Sequence, residues 1–219
     1  MCKIISFYDS YVYTMKILPQ TISPNGIFDS TQLCAVLKGY ANIPMKIKRM
    51  VDNGEIVRLK KGLYILSSEY RQTSVNQMII ANLLDGPSYV SADFALSYYG
   101  MIPETVKTVT SVSLKRSKLY RTPVGDFLYS RRVANDFAAG IRQIDTEQGG
   151  FLIANPEKAI YDKALNDARF DGTDVEAYLF DDLRLEWTGK PNKKVLAALE
   201  KSARGKMKNL VSFMWRIGK

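Results

Sequence analysis

Residues 42–66, NIPMKIKRMVDNGEIVRLKKGLYIL, change their apolar period abruptly at Gly54. Before it, Ile43, Ile47, Met50 and Val51 recur at i, i+4, i+7 and i+8, the stripe of an amphipathic helix. Asn42 suits the N-cap and Pro44 the first turn, while Gly54 is a natural left-handed residue after the end. Beyond it, EIVRL and GLYIL flank Lys60-Lys61-Gly62, which reads as two strands joined by a tight basic turn. Val57 and Leu59 are expected on one strand face, Arg58 and Lys60 on the other.

The segments before it narrow the choice. Ile5, Tyr8, Val12 and Met15 predict a helix over about residues 4–18, and PQTISPNGIF reads as a loop. A second helix is expected over Ser30–Leu37, capped by Asp29 or Ser30, with Leu33, Val36 and Leu37 inward. Three helices and a hairpin in about 65 residues are the order of a winged helix-turn-helix.

Charge supports a nucleic-acid reading of this part. Residues 1–70 hold nine Lys or Arg against five Asp or Glu, residues 71–189 thirteen against sixteen, and residues 190–219 nine against one. Basic ends around a mildly acidic middle suit a polyanionic partner. On the helix over 43–52, Asn42, Met45, Lys46 and Arg49 face away from the apolar stripe, and Arg58, Lys60 and Lys61 cluster on the hairpin. These seven are the candidate DNA-binding residues. A merely solvated helix would alternate signs to form i,i+4 pairs instead.

From residue 67 the pattern changes. SSEYRQTS reads as a linker, followed by a helix over about Val75–Leu84 and a second one capped by Ser91 and ended by Gly100. KTVTSVSL is a β-branched strand, KLYRTPVGDFLYSRR a hairpin about Thr122-Pro123-Val124-Gly125, and IRQID and GGFLIA two more strands. Helices return in NPEKAIYDKALNDA, with Asn155 as cap, and in TDVEAYLF, with a Thr173…Glu176 capping box. The final PNKKVLAALEKSARGKMKNLVSFMW predicts one or two basic amphipathic helices. The expected fold class is α+β: a winged helix-turn-helix over 1–70, then a mixed α/β domain over 71–219 with short strands and C-terminal helices.

Several chemistries find no support in the residues. Histidine is absent, which removes His-based triads, and Cys2 and Cys34 form no CxxC pair, so a Cys/His zinc site lacks ligands. Cys34 is expected to be a small buried apolar residue. No P-loop or GxGxxG occurs, and the aspartates of NDARFDGTD miss the EF-hand spacing. An enzyme acting on nucleic acid would need Asp167, Asp171 and Asp181 gathered in a cleft. We therefore expect neither enzyme activity nor a cofactor. No apolar run reaches the roughly 20 residues of a membrane-spanning helix, and the N-terminal stretch lacks a signal-peptide pattern, so a cytoplasmic protein is expected.

Residues 81–132 carry a combination that resembles the AbiEi family, the antitoxins of type IV toxin–antitoxin systems. It consists of Gly86-Pro87-Ser88-Tyr89-Val90-Ser91, Ala95-Leu96-Ser97-Tyr98-Tyr99-Gly100, Ile102-Pro103-Glu104, a Thr-rich strand ending in Lys115-Arg116, and Thr122-Pro123-Val124-Gly125. Ala154-Asn155-Pro156-Glu157-Lys158-Ala159 and the hairpin NGEIVRLKKGLYIL fit as well. The resemblance covers most of residues 25–170. It implies a winged helix that represses its own operon by binding double-stranded operator DNA, and a C-terminal domain that counters a nucleotidyltransferase-type toxin. Tyr98, Tyr99, Lys115, Arg116, Lys118 and Arg121 are the candidate toxin-neutralising residues, because interfaces draw on Tyr and Arg anchors. The alternative is a stand-alone winged-helix transcription factor whose second domain senses a ligand or dimerises.

Overall fold

A computed structural model describes residues 23, 25–71, 73–133, 137–187 and 189–217. The expected helix over 4–18 lies outside the described residues. The chain mixes helices and strands in two compact units. The first runs to Asn76 and the second from Gln77 on, apart from the short stretches Thr122–Val124 and Glu147–Gly149, which group with the first.

The first unit holds β1 (Ile27–Asp29), α1 (Ser30–Val36), α2 (Ile43–Asp52), β2 (Ile56–Lys60) and β3 (Leu63–Leu66). Asp29 caps α1 in a full capping box with Gln32, and Asn42 caps α2 by accepting from the Met45 amide at 3.0 Å. Gly54 closes α2 at φ 72°. The strands form an antiparallel sheet in the order β1-β3-β2. β1 lies in the stretch read as a loop; at three residues it is too short to show a period, and pairing with β3 defines it. Phe28, Leu33, Leu37, Met50, Ile56 and Leu66 form the core, with Val36, Ile43, Ile47 and Val51 packed against it. The apolar stripe of α2 is thus turned inward as its spacing predicts. Cys34 is half-buried rather than buried.

The second unit is organised on a six-stranded mixed sheet in the order β6-β7-β5-β4-β9-β8. Its strands are β4 (Ser88–Val90), β5 (Val109–Ser113), β6 (Lys118–Thr122), β7 (Gly125–Arg131), β8 (Ile141–Thr146) and β9 (Gly149–Ala154). β4 runs antiparallel to β5 and parallel to β9, and β5 runs parallel to β7. The helices are α3 (Gln77–Leu84), α4 (Ala92–Tyr98), α5 (Pro156–Asn166), α6 (Val175–Ala177), α7 (Lys193–Ser202) and α8 (Lys206–Ile217); a π-helical turn, Tyr178–Asp182, continues α6. α4 packs on α5, and α5 on α7 and α8. Val195, Leu196, Leu199, Met207, Leu210 and Val211 are buried, so the C-terminal segment is two helices sharing one apolar side. The break falls at Gly205, which has φ 49°.

Two capping expectations hold in position only, and a third is corrected. Ser91 and Asn155 occupy N-cap positions, but neither side chain bonds a helix amide. The Ser91 hydroxyl donates instead to buried Asp162 at 2.7 Å. Ahead of α6 the cap is Asp174, which accepts from the Ala177 amide, not Thr173.

Asp162 is the centre of the most concentrated buried polar cluster described in this unit. Its carboxylate is fully buried and accepts from Tyr89 Oη at 2.9 Å, Ser91 Oγ and Arg132 Nη2. Lys158, also fully buried, brings Nζ to 3.4 Å from the same carboxylate one helical turn earlier. The Lys158 ammonium also lies 5.5 Å from the centre of the Tyr161 ring. A buried charge persists only where opposite charges and donors surround it, and this cluster supplies both. It ties β4, α5 and the end of β7 together.

Candidate nucleic-acid interface

Packing Ile43, Ile47, Met50 and Val51 inward determines what α2 presents outward. Asn42, Met45 and Arg49 are exposed, and Lys46 is half-buried with its ammonium 5.3 Å from the centre of the Tyr40 ring. Burial lowers the Lys46 pKa from its ordinary value, and neighbouring Arg49 adds to the effect. The two cations therefore stand close on one face, a juxtaposition that favours an anionic partner. Lys48 is exposed on the same helix. It was not among the residues singled out from sequence, although it stands one turn from Met45.

The two carboxylates of this stretch part ways. Asp52 is exposed on the last turn of α2, whereas Glu55 is buried and accepts from Asn53 Nδ2 at 3.0 Å. Desolvation pushes the Glu55 carboxyl above the usual range. Only Asp52 therefore offsets the positive charge at the surface of this helix end.

On the hairpin, Arg58 and Lys61 are exposed and Lys60 is half-buried. β2 and β3 pair as Arg58↔Tyr64 and Lys60↔Leu63, with a bulge between Arg58 and Lys60 that breaks the strict alternation expected of β2. The turn is anchored, because the Ser30 amide donates to the Gly62 carbonyl at 3.0 Å. Gly62 has φ 83°, and a Cβ there would come within 3.2 Å of Ser30 Oγ. Glycine thus lets the turn close against the start of α1.

In the second unit, the proposed neutralising residues fall into two groups. Lys115 and Arg116 are exposed on the β5–β6 connection, and Lys118 and Arg121 are exposed on edge strand β6. Lys115 reaches Asp85 at 3.6 Å, and Lys118 donates to Tyr120 Oη at 2.9 Å. Tyr98 and Tyr99 lie apart from this group in their contacts. Tyr98 is exposed and stacks edge-on against Tyr99 and Phe151. Tyr99 is half-buried; its hydroxyl donates to the Ala154 carbonyl at 2.8 Å and accepts from Arg142 Nε at 3.2 Å. Burial raises its pKa, and Arg142 opposes that rise.

Asp167, Asp171 and Asp181 form no metal-binding group; among the described residues no three acidic or sulfur side chains converge on one point. Asp167 is engaged by Arg169, and Asp171 by Thr173. An open cavity of about 510 Å³ lies in this unit, lined among others by Asp93, Ile102, Glu104, Leu128, Lys163 and Asp182. Among the described residues, no helix is long and apolar enough to cross a membrane. The chain matches no family model, and no curated protein matches its sequence.

Proposed function

We propose that this chain is an antitoxin and autoregulatory repressor. On this reading its first unit is a winged helix-turn-helix that binds operator DNA, and its second unit counters a nucleotidyltransferase-type toxin. The observation that carries the DNA-binding half is the outward face of α2: Met45, Lys46 and Arg49 stand opposite a fully engaged apolar stripe, and a basic hairpin follows. The order strand, helix, helix, hairpin, with β1 laid on β3, supports the same reading. α2 then serves as the recognition helix, with Arg49 and Lys46 at base edges or phosphates, and Arg58, Lys60 and Lys61 hold the backbone.

The antitoxin half rests on the resemblance of residues 81–132 to the AbiEi family. Lys115, Arg116, Lys118 and Arg121 form an exposed basic set, of which Lys115 also pairs with buried Asp85. The test is co-expression with the product of the adjacent reading frame. The full chain is expected to restore growth and to silence its own promoter, and a fragment of residues 71–219 to restore growth alone. Rescue by residues 1–70 alone would refute this division, and full rescue by a Lys115/Arg116/Lys118 alanine variant would remove only the site.

A second reading, a stand-alone transcription factor with a ligand-sensing second unit, is favoured by the open cavity there. A neighbouring product that is harmless, with repression that answers to a small molecule, would select it.

A further inference from the structure

The cavity of the second unit has a composition that points to its ligand, independently of DNA binding or toxin neutralisation. At about 510 Å³ it is of the size that holds small molecules. Its lining includes the apolar Ile102, Val106, Leu128 and Leu183 beside Thr108 and Thr110. Leu128 is 40% exposed although β7 is an interior strand of the sheet, so this leucine gives onto the cavity without cover.

The charged residues of the lining are unequally committed. The Lys163 ammonium sits between Asp93 at 2.8 Å and Asp167 at 3.6 Å. Arg169 grips Asp167 through Nε at 3.1 Å and Nη2 at 2.7 Å. Both lining cations are therefore neutralised by carboxylates already in place. Asp182 lies within electrostatic reach of Arg169 but closes no salt bridge among the described residues. Glu104 pairs with Arg184, both exposed, and also accepts from its own backbone amide and feels Lys163 at longer range; an incoming cation can replace the exposed pair. Among the described lining residues, the unspent charge is negative.

One wall is also irregular in its backbone. The π-helical turn ends at Asp182, and Arg184 follows in the left-handed region at φ 48°. Such departures concentrate at functional sites. Among the described lining residues an anion would find no uncommitted cation. The lining combines carboxylates with apolar side chains, which suits a ligand whose positive charges are separated by methylene groups.

We propose that this cavity binds an aliphatic polyamine, its methylenes on Leu128 and its ammonium groups at Asp182 and Glu104. The test is calorimetric titration of the full chain with spermidine at physiological ionic strength, with Mg²⁺ as competitor. Saturable one-to-one binding is expected, weakened at least tenfold in Asp182→Asn and abolished in Leu128→Lys, with Mg²⁺ at equal concentration failing to displace it. Asp182 is exposed, so Asp182→Asn should melt as wild type does; that variant decides the matter if Leu128→Lys fails to fold. Absence of saturable binding, unchanged affinity in Asp182→Asn, or displacement by equimolar Mg²⁺ would overturn the proposal.

Discussion

Replacing Asp162 by alanine tests what holds the second unit together. The side chain is fully buried and accepts hydrogen bonds from Tyr89 at 2.9 Å and Ser91 at 2.7 Å. Each bond to a charged acceptor contributes about 1.5–3 kcal/mol, and the two are not additive. The same carboxylate faces Arg132 and Lys158, both buried, and removing one partner of a buried ion pair costs about 3–5 kcal/mol. The larger of these overlapping effects sets the expected loss at about 3–5 kcal/mol, a large part of the roughly 5–15 kcal/mol that keeps a domain folded. Both tryptophans, Trp187 and Trp215, belong to the second unit, so their fluorescence during urea denaturation reports that unit. Asp162→Asn keeps an acceptor for Tyr89 and Ser91 but removes the charge, and should lose less than Asp162→Ala. Glu104→Gln, which breaks an exposed pair with Arg184, should leave the transition where it is. A loss below about 1 kcal/mol in Asp162→Ala would show that the cluster does not act as a buried ion pair.

Two further outcomes follow. Neutralising Lys60 and Lys61 together should weaken binding to every duplex and flatten the log K against log salt slope by about 0.9 per lost phosphate contact; an unchanged slope removes the hairpin from the interface. The Arg169 hydrogen bonds hold the Asp167 carboxyl well below the usual carboxylate range, against its burial, which acts the other way. The native state thus keeps this charge to lower pH than the unfolded chain does, so the stabilisation is present above about pH 4 and is lost as pH falls further. The stability gap between wild type and Asp167→Asn should accordingly shrink from about pH 7 to about pH 2.5, and a gap that widens would refute the coupling.

What the sequence reveals of this fold is what is local. The caps of α1 and α2, the inward stripe of α2, the basic hairpin and the shared apolar side of α7 and α8 depend on residues a few positions apart. β1 and β4, of three residues each, carry no period of their own and are defined by partners far along the chain: β3 for β1, and β5 and β9 for β4. Ser91 looks like an N-cap by position, yet a carboxylate 71 residues away takes its hydroxyl. Lys158 and Asp162 are four apart and could be paired from sequence, but Arg132 joins them only through the tertiary fold. The cavity was equally hidden, since its lining comes from segments that share no motif. On α2, by contrast, burial of one stripe dictates the other, so the candidate recognition residues could be named in advance.

The central claim is that α2 reads DNA, and Arg49 is its most direct test. Duplex from the chain's own upstream region and a scrambled duplex of equal length are titrated with wild type and Arg49→Ala at several salt concentrations. Wild type should prefer its own duplex. Because Arg49 is exposed and outside the core, Arg49→Ala should melt normally while losing about 1–3 kcal/mol of that preference, the worth of one bidentate contact to a guanine edge. Affinities for both duplexes that match wild type in Arg49→Ala would contradict the assignment of α2 as the recognition helix.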